Sequence, residues 1–224
     1  GDYNVAVGHQ AGDAITTGSS NVAIGYFALS AEDGHGLNVA VGNRTLANQN
    51  AGADAYNVAV GFDAGLSVTT GIKNTIVGGL AGDALTDADE NVAIGVSALG
   101  ADTLGSKTTA IGQGALQVQN FTTATDTYNV AVGFSAGNQV TTGIFNTLLG
   151  GLSGDALTTG TRNVAVGKDA LTSDTLGSRS VAVGFAALFS QNFTTATDAY
   201  NVAVGEQAGL NVTTGTNNTL LGGL

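Results

Sequence analysis

A five-residue string ending in glycine recurs thirteen times along this 224-residue chain at almost constant spacing. It first reads Asn4-Val5-Ala6-Val7-Gly8 and next Asn21-Val22-Ala23-Ile24-Gly25. Its glycines are Gly8, Gly25, Gly42, Gly61, Gly78, Gly95, Gly112, Gly133, Gly150, Gly167, Gly184, Gly205 and Gly222. Nine of the twelve intervals are 17 residues, one is 19 and two are 21. Short fixed periods of this kind belong to stacked architectures, in which one unit cannot bury an apolar face alone and must place it against its neighbours. The expected organisation is therefore one repetitive segment over residues 1–224, an all-β parallel solenoid of about 13 rungs.

A longer period lies over the short one. Asn74-Thr75-Ile76-Val77-Gly78-Gly79-Leu80 has counterparts starting at Asn146 and Asn218, each 72 residues further on. Residues 117–152 and 189–224 agree at 27 of 36 positions. Four rungs thus form a super-repeat of 70–72 residues. The longer connections, 43–56, 113–128 and 185–200, fall in the same rung of each.

Each position within a rung has a physical reading. The residue before the glycine is Val, Ile or Leu, and the one three before it is Val or Thr. These two share one strand face, because strand side chains alternate with period two. Between them sits Ala6, Ala23, Ala40, Ala59, Ala93, Ala110, Ala131, Ala165, Ala182 or Ala203, with Ile76, Leu148 and Leu220 as exceptions. Branched residues and a glycine stop favour strand over helix. The small face is expected to let another sheet approach closely, and trimerisation is one way to cover it. Asn opens eleven copies (Asn4, Asn21, Asn38, Asn57, Asn74, Asn91, Asn129, Asn146, Asn163, Asn201 and Asn218), with Thr108 and Ser180 in the other two. Stacked asparagines are expected to form a hydrogen-bonded ladder, and the glycine to permit a turn with positive φ.

The second half of each rung is equally regular. Four residues after the glycine stand Gly12, Leu29, Leu46, Gly65, Gly82, Leu99, Leu116, Gly137, Gly154, Leu171, Leu188 and Gly209. Each rung is read as two short strands joined by turns. Parallel stacking at about 4.8 Å would make thirteen rungs a rod on the order of 60 Å long.

Composition excludes several classes. Hydrophobic residues make up 43% of the chain despite 35 glycines, which is too apolar for disorder. No apolar run approaches the roughly 18 residues of a membrane span, and no signal peptide stands at the start. The net charge of −11, with only Arg44, Lys73, Lys107, Arg162, Lys168 and Arg179 as scattered basic residues, argues against nucleic acid. The absence of cysteine removes disulfides and thiolate metal sites. Starting at Gly1 and ending at Leu224 inside a repeat, the sequence is expected to be an internal piece of a longer chain.

The string Asn-Val-Ala-Val/Ile-Gly-x-x-Ala resembles the head repeats of trimeric autotransporter adhesins. The Thr-Thr-Gly and Asn-Thr-x-x-Gly forms are similar to repeats of bacteriophage tail fibres. The resemblance spans essentially the whole chain. It implies a left-handed parallel β-roll wound as a homotrimer and attached to a virion or a bacterial outer surface. The rungs here are longer than the usual adhesin head coil, and no coiled-coil stalk, membrane anchor or self-cleaving chaperone domain is seen in this segment. The leading expectation is a structural segment of a phage tail fibre presenting a receptor-binding tip for host attachment. The alternative is a bacterial adhesin head binding host matrix or cells. The partners expected are the chain itself and a host-cell receptor or glycan.

Catalytic, metal and cofactor sites are not expected. His9 and His35 occupy unrelated rung positions and read as solvent-exposed turn residues. The Gly-x-x-Gly strings carry no Walker lysine, and no pair of carboxylates suggests a polysaccharide depolymerase. Asp87, Asp89 and Glu90 cluster in one turn, but the glycine-rich calcium nonapeptide is missing. Asp13, Asp83 and Asp155, each directly after a glycine, fit turn roles. Thr-Thr-Gly ends at only Gly18, Gly71, Gly143, Gly160 and Gly215, which breaks any threonine array for ice. The longer connections carry Phe121, Tyr128, Phe193 and Tyr200. These aromatics are the candidate surface contacts, set against packing on neighbouring rungs.

Overall fold

Every copy of the motif places its three central residues in a strand. The structure, a computed structural model, describes residues 1–223. Among these there are seventeen strands and no helix. The chain forms two compact units, residues 1–108 with 120–126, and 109–119 with 127–224. In the first, the motif strands are Val5–Val7, Val22–Ile24, Val39–Val41, Val58–Val60, Thr75–Val77 and Val92–Ile94. In the second they are Thr109–Ile111, Val130–Val132, Thr147–Leu149, Val164–Val166, Val181–Val183, Val202–Val204 and Thr219–Leu221. Within each unit successive strands pair in parallel and in register, as at Ala23↔Ala40 and Ala131↔Leu148. The fold is a parallel β-solenoid of thirteen turns, as the period requires.

The second half of the rung departs from expectation. It forms strand only at Gly105–Ser106 with Thr125–Asp126, and at Gly177–Ser178 with Thr197–Asp198. Elsewhere it runs as turns, because residues at fixed positions take left-handed backbone angles that interrupt a strand. One position is two after the motif glycine (Arg44, φ 51°; Gln207, φ 56°), one is four after it, and one directly precedes the asparagine (Lys73, φ 59°; Phe145, φ 62°). The turned amides still bond between rungs: Leu29 N–H donates to Thr45 O, Arg44 N–H to Tyr26 O and Lys73 N–H to Ala55 O.

Two independent constraints fix the motif glycine. Its φ lies between 114° and 147° in all thirteen copies, a region closed to L side chains. A Cβ on Gly25 would also stand 2.0 Å from the carbonyl oxygen of Gly42 in the next rung.

The interior follows a size rule. Where the fourth residue after the motif glycine is Gly, the seventh is apolar: Ile15, Val68, Leu85, Val140, Leu157 and Val212. Where the fourth is Leu, the seventh is Glu32, Gln49, Asp102, Gln119, Asp174 or Gln191, all fully buried. A Cβ on Gly82 would meet Leu85 Cδ1 at 2.8 Å, and one on Gly154 would meet Leu157 Cδ1 at 2.9 Å. The two positions compete for one space. The larger strand residues fit the same scheme: Leu148 lies against both Gly137 and Gly154, and Ile76 against Gly65 and Gly82.

Candidate functional site

The strand faces are the reverse of what the alanines suggested. Ala23, Ala40, Ala59, Ala93, Ala110, Ala131, Ala165, Ala182 and Ala203 are fully buried inside the chain's own solenoid, and only Ala6 in the first rung is exposed. They face the fourth-position residues of their own chain, so they mark no surface for a partner. The branched residues point outward instead. Ile24, Val58, Val60 and Val204 are 37–39% exposed, and Val130, Val132, Val164, Val166, Val181 and Val183 are half-buried. Exposed aromatics extend this face one residue beyond the glycine: Tyr26 and Phe62 in the first unit, Phe134 and Phe185 in the second. No strand position on this face carries a charge. An uncharged, largely apolar sheet face of this kind is uncommon on a free monomer.

The asparagine column is internal scaffold. Asn21, Asn57, Asn74, Asn91, Asn129, Asn146, Asn163 and Asn201 are buried. The hydrogen-bonded ladder is present and runs from side chain to backbone, asparagine Oδ1 atoms accepting the N–H of the asparagine in the next rung. Asn146 Oδ1 accepts the N–H of Asn163 at 3.0 Å, and its Nδ2 donates to Gly160 O at 2.9 Å. Asn57, Asn74 and Asn163 repeat both bonds. Ser180 replaces the asparagine where the seventh-position Gln191 reaches over, its Nε2 donating to Ser180 Oγ at 2.9 Å and Asp174 Oδ2 at 2.6 Å.

The longer connections are held by buried acids. Asp174 Oδ1 accepts the N–H groups of Gly177 and Phe193, and Asp102 Oδ1 those of Gly105 and Phe121. Phe121 and Phe193 are 7% and 5% exposed, so both lie in the packing. Tyr128 and Tyr200 are each 49% exposed. Tyr128 stacks on Phe145 at 5.8 Å, and the Arg179 guanidinium lies 5.4 Å from the Tyr200 ring centre. The structure therefore divides the four candidate contacts into two buried anchors and two surface rings.

The basic residues are engaged locally. Lys73 pairs with Glu90, Lys107 with Asp126, Arg44 with Asp63 and Lys168 with Asp169. Arg162 lies over Phe145 and Arg179 beside Asp198. In the acidic turn at 87–90, Asp87 accepts from Thr70 and Asp89 from the Ile72 N–H, so these carboxylates tie rung to rung and do not converge. Burial raises the carboxyls of Asp83 and Asp155 above their usual range, opposed at Asp155 by the Thr172 hydroxyl.

Among the described residues, one group of metal-ligating side chains does converge: Glu32, Asp33 and His35, whose ligand atoms lie within 4.8 Å of one another. Sequence reasoning missed it by treating His35 as a solvent-exposed turn residue. His35 is half-buried, and its Nδ1 is 3.7 Å from Glu32 Oε1. Aligning this rung with its super-repeat counterparts would have exposed the difference, since they carry Asp102, Thr103 and Gly105, or Asp174, Thr175 and Gly177. No family model, curated protein or solved structure matches this chain.

Proposed function

We propose that this chain is a structural segment of an extended homotrimeric fibre, wound left-handed, that spaces and presents a receptor-binding tip for host attachment, as in a phage tail fibre. The observation that supports it is the outward ladder of Val, Ile and Leu repeated on every rung, an uncharged sheet face that a second and third copy of the chain would cover. The loops fit a spacer, because Phe121 and Phe193 are anchored inward by Asp102 and Asp174. The alternative, a bacterial surface adhesin head, draws on the Asn-Val-Ala-Ile-Gly strings at 21–25 and 91–95.

Light scattering on the purified chain tests the assembly. The expected mass is three times the 22.0 kDa of one chain. Val132→Lys combined with Val183→Lys, both on the outward face, should lower it to one chain while circular dichroism keeps its β signature. A single-chain mass for the unaltered protein would remove the basis of the fibre reading. Binding of the folded, trimeric segment to host matrix or cells would favour the adhesin.

A further inference from the structure

The three super-repeats act as internal controls on one another, and the first departs from the other two at one place. In the later copies a buried Asp has its Oδ1 filled by two backbone N–H groups, from Gly105 and Phe121 or from Gly177 and Phe193. In the first copy the acid is Glu32, one methylene longer. The connection that follows it is two residues shorter and has no phenylalanine. Glu32 Oε1 accepts only the His35 N–H, at 3.1 Å, and its Oε2 is buried without a hydrogen-bond partner. The facing His35 Nδ1 is also buried without one. A fully buried carboxylate oxygen left unpaired is costly.

The same three positions that lose this hydrogen bonding gain ligand chemistry. Asp, Thr and Gly in the sister rungs become Glu32, Asp33 and His35. We propose that Glu32, Asp33 and His35 Nδ1 bind a divalent first-row metal ion of the zinc type, through two carboxylates and one imidazole nitrogen. That donor set suits zinc, with water in any remaining position. The nitrogen disfavours calcium and magnesium, which take oxygen ligands. The backbone around the site is already fixed from both sides. Asp33 O accepts N–H groups from Thr16 and Thr17, His35 O accepts Asn21 Nδ2 at 3.0 Å, and Gly36 N–H donates to Asp54 Oδ1 at 3.1 Å. The metal would charge-match Glu32 and tie the turn at 32–36 in place, a role the Phe121 and Phe193 amides share in the later copies.

Isothermal titration of zinc chloride into the full chain should show one site per chain, together with a rise in melting temperature. Two variants carry the assignment. His35→Gly installs the residue found at Gly105 and Gly177, so its fold should survive, as judged by circular dichroism. Glu32→Gln keeps the buried shape without the charge. Each should weaken zinc binding by more than roughly tenfold, whereas His9→Ala should leave it unchanged. The proposal is overturned if zinc does not bind, if either variant retains the affinity, or if calcium binds as tightly.

Discussion

The position four residues after the motif glycine shows how one residue choice is decided. Its backbone is left-handed everywhere, with φ of 49–67° at the six glycines and 47–55° at the six leucines. A leucine held there costs roughly 1–2 kcal/mol, while burying its side chain contributes about 1.5–3 kcal/mol. Leucine therefore prevails where the seventh side chain is polar and turned to hydrogen bonds elsewhere in the rung, and glycine where it is apolar and fills the space. Gly137→Ala should destabilise by about 1–3 kcal/mol, because its Cβ would stand 2.6 Å from Leu148 Cδ1. Leu148→Ala alone should cost about 2–5 kcal/mol. The double variant should lose less than the sum, with a coupling of about 0.5–3 kcal/mol in denaturant titrations. Additive losses would contradict the shared space. The Gly-or-Leu alternation was legible in the sequence. Its cause was not, since nothing in a leucine announces a positive φ.

Asparagine is specified just as tightly. Asn146→Ala leaves the Asn163 N–H and the Gly160 carbonyl buried without partners, at about 1–3 kcal/mol for each group. Asn146→Asp keeps the acceptor but removes the donor and buries a charge, so it should be worse than alanine at neutral pH, measured by thermal melting. Asp83 reports burial through pH. Its carboxyl is raised by desolvation above the ordinary value of 3.8, so the folded state binds the proton more readily than the unfolded one. The stability this contributes is complete below pH 3.8 and is lost as pH rises through the raised folded value. Asp83→Asn should therefore be more stable than the parent at pH 7 and lack this component of the pH profile. A parent and variant with parallel profiles would rule it out.

At the scale of the element, the motif strands and their register were readable, because period-two alternation and a glycine stop leave little freedom. The missing second strand was not, because the turns alternate strand-like and left-handed angles, a pattern invisible to hydropathy. The loops were half-legible. Their recurrence was plain, yet the anchor of the two later ones is an acid in the preceding rung, 19 residues before the phenylalanine. Asp174→Ala would remove the acceptor shared by the Gly177 and Phe193 N–H groups and a partner of Gln191. Hydrogen exchange should then speed up at residues 191–198 more than in the strand at Val164–Val166. Unchanged loop protection would show that Phe193 packing suffices without the acid. The surface face was misread for a simple reason. Alternation reveals that two faces differ, but small residues suit either a tight interface or a tight interior, and here Leu171 and Leu188 on the opposite wall claim the interior.

Across the whole molecule, each four-rung block carries the order Gly, Gly, Leu, Leu at the fourth position, with its one large strand residue set against the two glycines. In a chain of near-identical rungs the chief hazard is slippage, because a ladder displaced by one step would find almost the same backbone bonds. The alternating sizes give every rung an address. Displacement by one step brings leucine onto leucine at some levels and leaves voids at others, while displacement by four restores the match. The chain is thus indexed in blocks, and its natural increment of length is the block. Removing 72 residues between equivalent points should leave a folded protein, whereas removing a single 17-residue rung should force mismatched levels together along everything that follows.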